Sequence, residues 1–457
     1  MASFWDQVRA TARTRDYAAV LHLCDRQLVE NSSDGDAVMV RQRVQDHMAA
    51  GAASAVTAAP PALSELRERA RWAVPQAFEA VYALLLAEEA LWSMGEQAVG
   101  IFADAWQLTP EGSLKTRLRE MAESLLHRLL ARSRQSRWFC GSEDFDLPAH
   151  CTFDHWVFEA MGLLWWQAEF ELPADPDLQE AVLHEWHRRS ESGQLPGRGK
   201  PELLGQETPE SLFTRLLEAW MFERCLVCGL IADAAALPPL AYGVADVLAE
   251  IRRWPLPEPG SPDSYDSFYL LTHVVFVMNS YGGCLPNCYG DCPWLYDYLW
   301  KCLRFWLREG KLLLAGDPFA CFIDEAKSGE DAVDVVGEAV DILRELPEAG
   351  ADADGELLNE ALGFLFSQQA ADGLFLPPGA EGIHTETSDA YDLLHPTWAA
   401  ATALQLDRLT GASGSRSAAW SRHARRAASS VCFAEPPPPA RAAAVRSLDL
   451  VAALAAG

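Results

Sequence analysis

The sequence predicts an all-α protein organised as an (α/α)6-type toroid, with a helical hairpin before it and a flexible tail after it. Three observations carry that reading. Apolar residues recur at the 3.6-residue period over most of the chain, as in "LRERARWAVPQAFEAVYALLLAEEALWSM" and "LYDYLWKCLRFWLREGKLLLAG". No run of alternating β-branched residues competes with them. A histidine-centred segment also recurs three times at spacings of 118 and 122 residues, about twice the length of one hairpin if six hairpins fill residues 63–410.

Residues 1–48 come first. "RDYAAVLHLCDRQLVENSSDGDAVMVRQRVQDHMAAG" gives two helical runs around a polar break, a tetratricopeptide-like hairpin. One such repeat cannot bury its own apolar face, so it is expected to dock on the body. Residues 49–62, "AAGAASAVTAAPPA", read as a linker of small residues and proline. Residues 63–410 form the toroid, the expected catalytic domain, broken by proline- and acid-rich turns such as "PLPEPGSPDS" and "LPADPDL". After 411 the composition shifts to Ala, Pro and Arg. Residues 413–457 hold six Arg against Glu435 and Asp449, the pattern of a flexible tail.

Charge and hydropathy narrow the function classes. With 65 acidic and 37 basic residues the net charge is -28, a poor match for nucleic-acid phosphates or an anionic membrane surface. No apolar run reaches eighteen residues, so no transmembrane segment is expected. The N-terminus lacks a secretory apolar core. Its early arginines and few acids also fit organelle import, but the segment reads better as folded helix, which leaves the cytosol as the expected compartment. The eleven cysteines, an odd number set mostly in apolar runs, read as reduced thiols.

The repeat supplies the site. "CTFDHWVFEAMGLLWW", "YLLTHVVFVMNSYGG" and "YDLLHPTWAAATALQL" each place a histidine fifth, at His155, His273 and His395. An aromatic follows by three, at Phe158, Phe276 and Trp398, and Cys151, Tyr269 and Tyr391 precede by four. Those offsets put all of them on one helical face. Three such histidines around one cavity point to a metal centre, since neutral imidazole suits zinc, iron or copper. Tyr269, Tyr391, Asp392 and Asp266 are the candidates for proton transfer or for orienting the ligands.

A resemblance enters on the last repeat. "FSQQAADGLFLPPG…YDLLHPTWAAATAL" resembles the toroid repeats of terpenoid cyclases and protein prenyltransferase β subunits. There a Gln-x-x-Asp-Gly-aromatic turn links helices, matched by Gln369, Asp372, Gly373 and Phe375. The resemblance implies a zinc-ligating role for His395, and Asp291–Cys292 approximates the Asp-x-Cys partner. "YLLTHVVFVMNSYGG" is also similar to a bacterial family of unknown function, the DUF6895 proteins, which implies a toroid and no established activity.

Cys284, Cys288 and Cys292 in "NSYGGCLPNCYGDCPW" have gaps of three, unlike a radical-SAM cluster or paired zinc ligands, and their Pro and Gly residues predict a shaped loop at the cavity mouth. Carboxylates near the repeats (Asp154, Asp266, Asp324, Glu325, Glu386, Asp389 and Asp392), together with 16 Trp, also fit a metal-free carbohydrate-active toroid working by an acid–base pair. The leading expectation is a metal-dependent enzyme, hydrolytic or redox, acting on a small or medium organic substrate. A non-enzymatic helical interaction protein is the third reading.

Overall fold

The computed structural model describes residues 16–50, 61–136, 156–192, 208–231, 242–261, 264–279, 292–314, 332–344, 353–376 and 390–407, together with isolated positions 4, 7, 8, 11, 237, 238, 240, 420 and 423. Every regular element among these residues is an α-helix. The hairpin is α1 (Tyr17–Glu30) and α2 (Gly35–Ala50). The body starts with α3 (Leu63–Leu85), α4 (Glu88–Met94), α5 (Gln97–Leu108), α6 (Ser113–Ser136), α7 (Trp156–Glu169) and α8 (Pro176–Ser192). It continues through α9 (Pro209–Val227), α10 (Val244–Ile251), α11 (Ser264–Asn279), α12 (Pro293–Leu314), α13 (Ala332–Leu343), α14 (Ala353–Ser367) and α15 (Ala390–Ala403).

Local chemistry sets several of these boundaries. Asp16 accepts the Ala19 N–H at 2.9 Å and so starts α1. Thr208 and Ser211 exchange side-chain and backbone hydrogen bonds at 3.2 and 3.0 Å, and Pro209 occupies the first turn of α9, where a missing N–H costs nothing. Along α3 the buried Leu66, Ala70, Ala73, Val74, Ala77, Phe78, Val81 and Leu85 form one stripe at three- and four-residue steps. α11 and α13 differ: twelve of the sixteen residues of α11 and eleven of the twelve of α13 are buried, more than one apolar stripe requires.

Alternate helices meet. α5 packs on α7, α7 on α9, α9 on α11, α11 on α13 and α13 on α15, while α6 packs on α5 and α7, α8 on α7, α10 on α9, α12 on α11 and α13, and α14 on α12 and α13. The last helices return to the first: α15 contacts α3 and α4, and α14 contacts α3. The Gln369–Phe375 turn secures that return. Gln369 donates to the Ala73 carbonyl of α3 at 3.0 Å, and Phe375 N–H donates to Thr397 Oγ1 of α15 at 3.0 Å. Gly373 sits at φ +96°, and a side chain there would meet the Gln76 carbonyl oxygen at 2.8 Å, so the turn needs glycine for both conformation and space. Arg344, just past α13, donates to the Thr402, Ala403 and Gln405 carbonyls at 2.9, 2.6 and 3.0 Å, capping the C-terminal end of α15.

One buried apolar cluster runs from Leu66 to Trp420. The hairpin buries Val8, Val20, Cys24, Val40 and Val44 in a smaller cluster of its own. Residue 420 departs from the expectation of a flexible tail after 411. Trp420 is fully buried and donates to the Val277 carbonyl at 2.7 Å, one of the acceptors left open at the end of α11, and His423 lies 2.8 Å from Glu223 of α9. An indole that reaches an unfilled helix-end carbonyl while burying its ring supplies the reason.

The cysteine expectations divide. Cys24, Cys225, Cys228 and Cys302 are free thiols, and burial raises Cys225 to about 12, so "CLVC" is core. Cys292, expected to be reduced, is buried and disulfide-bonded, with its partner outside the described residues. Cys284 and Cys288 also lie outside them. No described helix is long and apolar enough to cross a membrane.

Candidate metal centre and cavity

A cavity of about 620 Å³ opens among α5, α7, α9, α11, α13 and α15, each of which contributes lining side chains. Helical periodicity explains the contributions. His273 and Phe276 share a face of α11, Glu338 and Asp341 a face of α13, and Tyr391, His395, Trp398 and Thr402 a face of α15.

The chemistry concentrates where α11, α13 and α15 meet. Asp334, Glu338 and His395, all buried, each offer one ligand atom within 4.8 Å of the others. Close packing brings them there: a Cβ on Gly337 would lie 2.9 and 3.0 Å from the Ala399 and Ala400 backbone, so only glycine lets α13 approach α15 this closely. His395 Nδ1 lies 2.8 Å from Asp334 Oδ1, and Nε2 lies 3.7 Å from Glu338 Oε1. The first contact is short but not aligned as a hydrogen bond, and Asp334 Oδ1 has no hydrogen-bond partner although it is buried.

α11 holds both carboxylates from the side. Tyr269 O–H donates to Asp334 Oδ2, and Thr272 O–H donates to Glu338 Oε2 at 2.7 Å. Burial first, then the charge of Asp334, raises the Glu338 carboxyl to about 8, against the lowering influence of His395 and the Thr272 hydrogen bond. Tyr391 stacks on the His395 ring at 4.8 Å and Trp398 meets its edge at 4.4 Å, so the imidazole is held on its helix by aromatic neighbours four before and three after it.

His395 belongs to the cluster, whereas His273 lines the same cavity outside it. His273 Nδ1 lies 2.9 Å from the Tyr269 carbonyl four residues back, a contact in which the ring nitrogen is the donor. Burial, with a smaller contribution from His395, lowers His273 to about 3, which keeps the ring neutral. His155 lies outside the described residues, as do Asp154, Asp324, Glu325, Glu386 and Asp389.

The other candidates separate too. Tyr269 braces a carboxylate of the cluster, and Tyr391 lies over His395 with its own ring 40% exposed. Asp266 is half-buried in the first turn of α11 and is not among the residues lining the cavity. Asp392 is in α15, but its side chain lies outside the described residues. Sequence reasoning missed Asp334, Glu338 and Asp341. Their signal was readable: acids at steps of four and three in "AVDVVGEAVDIL", a helix otherwise wholly apolar.

A second stretch of the lining comes from α5, α7 and α9. Trp166 Nε1 donates to Glu96 Oε2 at 3.0 Å, and the Glu96 N–H donates to Glu159 Oε2 at 2.7 Å. Burial pushes the Asp104 carboxyl well above the usual carboxylate range, with Arg224 opposing and the nearby acids adding to the rise. Arg224, Trp165, Trp220 and Met221 complete this wall.

Comparison with protein-family models, with curated proteins and with solved structures finds no match, so the resemblances noted above rest on the quoted motifs alone.

Proposed function

We propose that this chain is a metal-dependent enzyme that acts on a small or medium organic substrate in a cavity at the centre of an (α/α)6-type toroid. The toroid reading is supported by the alternation of helices, by the return of α14 and α15 to α3, and by the side chains that α5, α7, α9, α11, α13 and α15 all present to one cavity. The ion is a divalent transition metal, zinc, iron or copper, held by Asp334, Glu338 and His395.

One observation carries the metal reading. Two ligand-capable atoms, Asp334 Oδ1 and His395 Nδ1, lie 2.8 Å apart without hydrogen-bond alignment, and the carboxylate oxygen is otherwise orphaned and buried. Buried carboxylates are paired or coordinate metals, because an unneutralised charge in an apolar interior is costly. One nitrogen and two carboxylate ligands fit the donor chemistry of those metals. When bound, the ion supplies Lewis acidity or an activated water.

The chain's own residues do the rest. Tyr269 and Thr272 orient the carboxylates by donating to the oxygens that face away from His395. His273, held neutral, presents its remaining nitrogen chemistry to the same cavity. The Trp-rich wall of α5, α7 and α9 excludes water and provides faces for an organic substrate.

A metal-free acid–base reading is favoured by a different observation: Glu338 at about 8 holds a proton near neutrality beside Asp334, as a carboxylate pair requires. Elemental analysis of protein purified without a histidine tag separates the two. Stoichiometric zinc, iron or copper that is lost in His395→Ala supports the metal centre. Metal-free protein that binds sugars supports the acid–base pair.

A further inference from the structure

We propose that Arg224 is the anchor for an oxyanion, a carboxylate carried by the organic ligand of this cavity. The inference deepens the functional reading above by naming the substrate class, and it rests on that reading only for the existence of a ligand.

Arg224 stands on α9 on the face that also carries Phe213, Leu217, Trp220 and Met221, and it lines the cavity. It is 5% exposed. Its guanidinium carbon lies 4.3 Å from the Trp165 ring centroid and 4.0 Å from that of Trp220. Ring faces attract the cation but accept no hydrogen bond along its edge. Among the described residues that edge meets only the Met221 sulfur, 3.1 Å from Nη2, a weak acceptor, while Nε is buried with no partner.

A buried arginine normally has a carboxylate across its fork, because desolvating the charge is costly. The acids of this wall are engaged elsewhere. Glu96 accepts from Trp166, Glu159 from the Glu96 N–H, and Glu218 from the Tyr242 hydroxyl at 3.2 Å. Asp104 is driven toward its neutral form by burial. Burial also lowers Arg224, with the charges of Glu96 and Asp104 opposing the change, so the environment favours whatever supplies a negative charge at the edge. The fork matches a carboxylate with two parallel hydrogen bonds, and the indoles suit an organic group behind it.

The test uses the full chain, titrated with phenylacetate and succinate and with the neutral phenylacetamide and succinamide, followed by calorimetry and tryptophan fluorescence before and after chelation. The acids are expected to bind about tenfold or more tightly than the amides, with Arg224→Met erasing the preference and Arg224→Lys retaining part of it. Arg224→Gln serves if the methionine variant does not fold. Equal binding of acid and amide, no binding of the acids, or a preference that survives in Arg224→Met overturns the assignment. A preference lost on chelation yet kept in Arg224→Met puts the anion on the metal, which overturns this inference and leaves the metal centre standing.

Discussion

The two walls of the cavity handle buried charge in opposite ways. On the α11–α13–α15 side, two carboxylates are set beside an imidazole, braced by Tyr269 and Thr272, with one oxygen left unfilled. On the α5–α7–α9 side, Arg224 is set against indole faces among the acids Glu96, Asp104, Glu159 and Glu218, with its Nε left unfilled. Each wall therefore keeps one unsatisfied group of a different sign. Proteins ordinarily satisfy such groups, and a fold tolerates the cost where a ligand makes up the contact. The comparison teaches that each wall leaves one buried polar atom open, an acceptor oxygen on Asp334 and a donor nitrogen on Arg224.

The largest expected effect breaks the acidic wall. Asp334→Asn or His395→Ala should cut bound metal from stoichiometric to less than about one tenth, measured by elemental analysis, because each removes a ligand that its neighbours cannot replace. Metal retained in both variants would remove the centre from Asp334, Glu338 and His395.

Trp165→Ala acts on the other wall. It deletes a buried indole from the core and one of the two rings beside Arg224, so a loss of about 3–5 kcal/mol in chemical denaturation is expected while metal content stays unchanged. If metal falls in parallel, the two walls are not independent.

Gly337→Ala sharpens the geometric basis of the acidic wall. The added methyl meets the α15 backbone at 2.9 Å, so the helices must part at a cost of about 1–3 kcal/mol, with a drop in metal affinity. Full affinity in this variant would show that the close approach of α13 to α15 is not what assembles the cluster.

A smaller effect is the pH dependence of the chelated protein. Glu338 is raised from 4.5 to about 8, so the folded state holds a proton that the unfolded chain has already released, and stability falls as pH rises through that interval. His273 is lowered from 6.5 to about 3, so its stabilising share is present above 6.5 and is lost as pH falls toward 3. Between pH 6.5 and 8 Glu338 contributes a decline of about 2 kcal/mol, and Glu338→Gln should remove that share of the fall seen in the parent by urea denaturation. Parallel curves for parent and variant would contradict the raised carboxyl. Smallest is Thr272→Val, which leaves Glu338 Oε2 without its donor and should cost about 1–2 kcal/mol in the same assay, with no change if the hydroxyl is dispensable.

Sequence made the helices legible because a 3.6-residue apolar period survives without any partner in view, and His395 was legible because its aromatic and tyrosine neighbours lie on its own helix. The acids of α13 carried a readable pattern but were passed over. An acid in an acidic chain is usually solvated, and only its neighbours reveal that it is not. Arg224 was hidden for the same reason, a single charge in the apolar run "AWMFERCLV".

By itself, then, the sequence determined the all-α class, the faces of α11 and α15, the turn from Gln369 to Phe375 and the absence of an apolar span, since each depends on residues close along the chain. Tertiary structure decided which groups meet. It set Asp334 and Glu338 beside His395 through a glycine contact between two helices, left His273 outside that cluster, buried Trp420 from the expected tail, and stacked Arg224 against indoles from α7 and α9. Those outcomes depend on packing between residues up to 143 positions apart, and on desolvation, which no local pattern encodes.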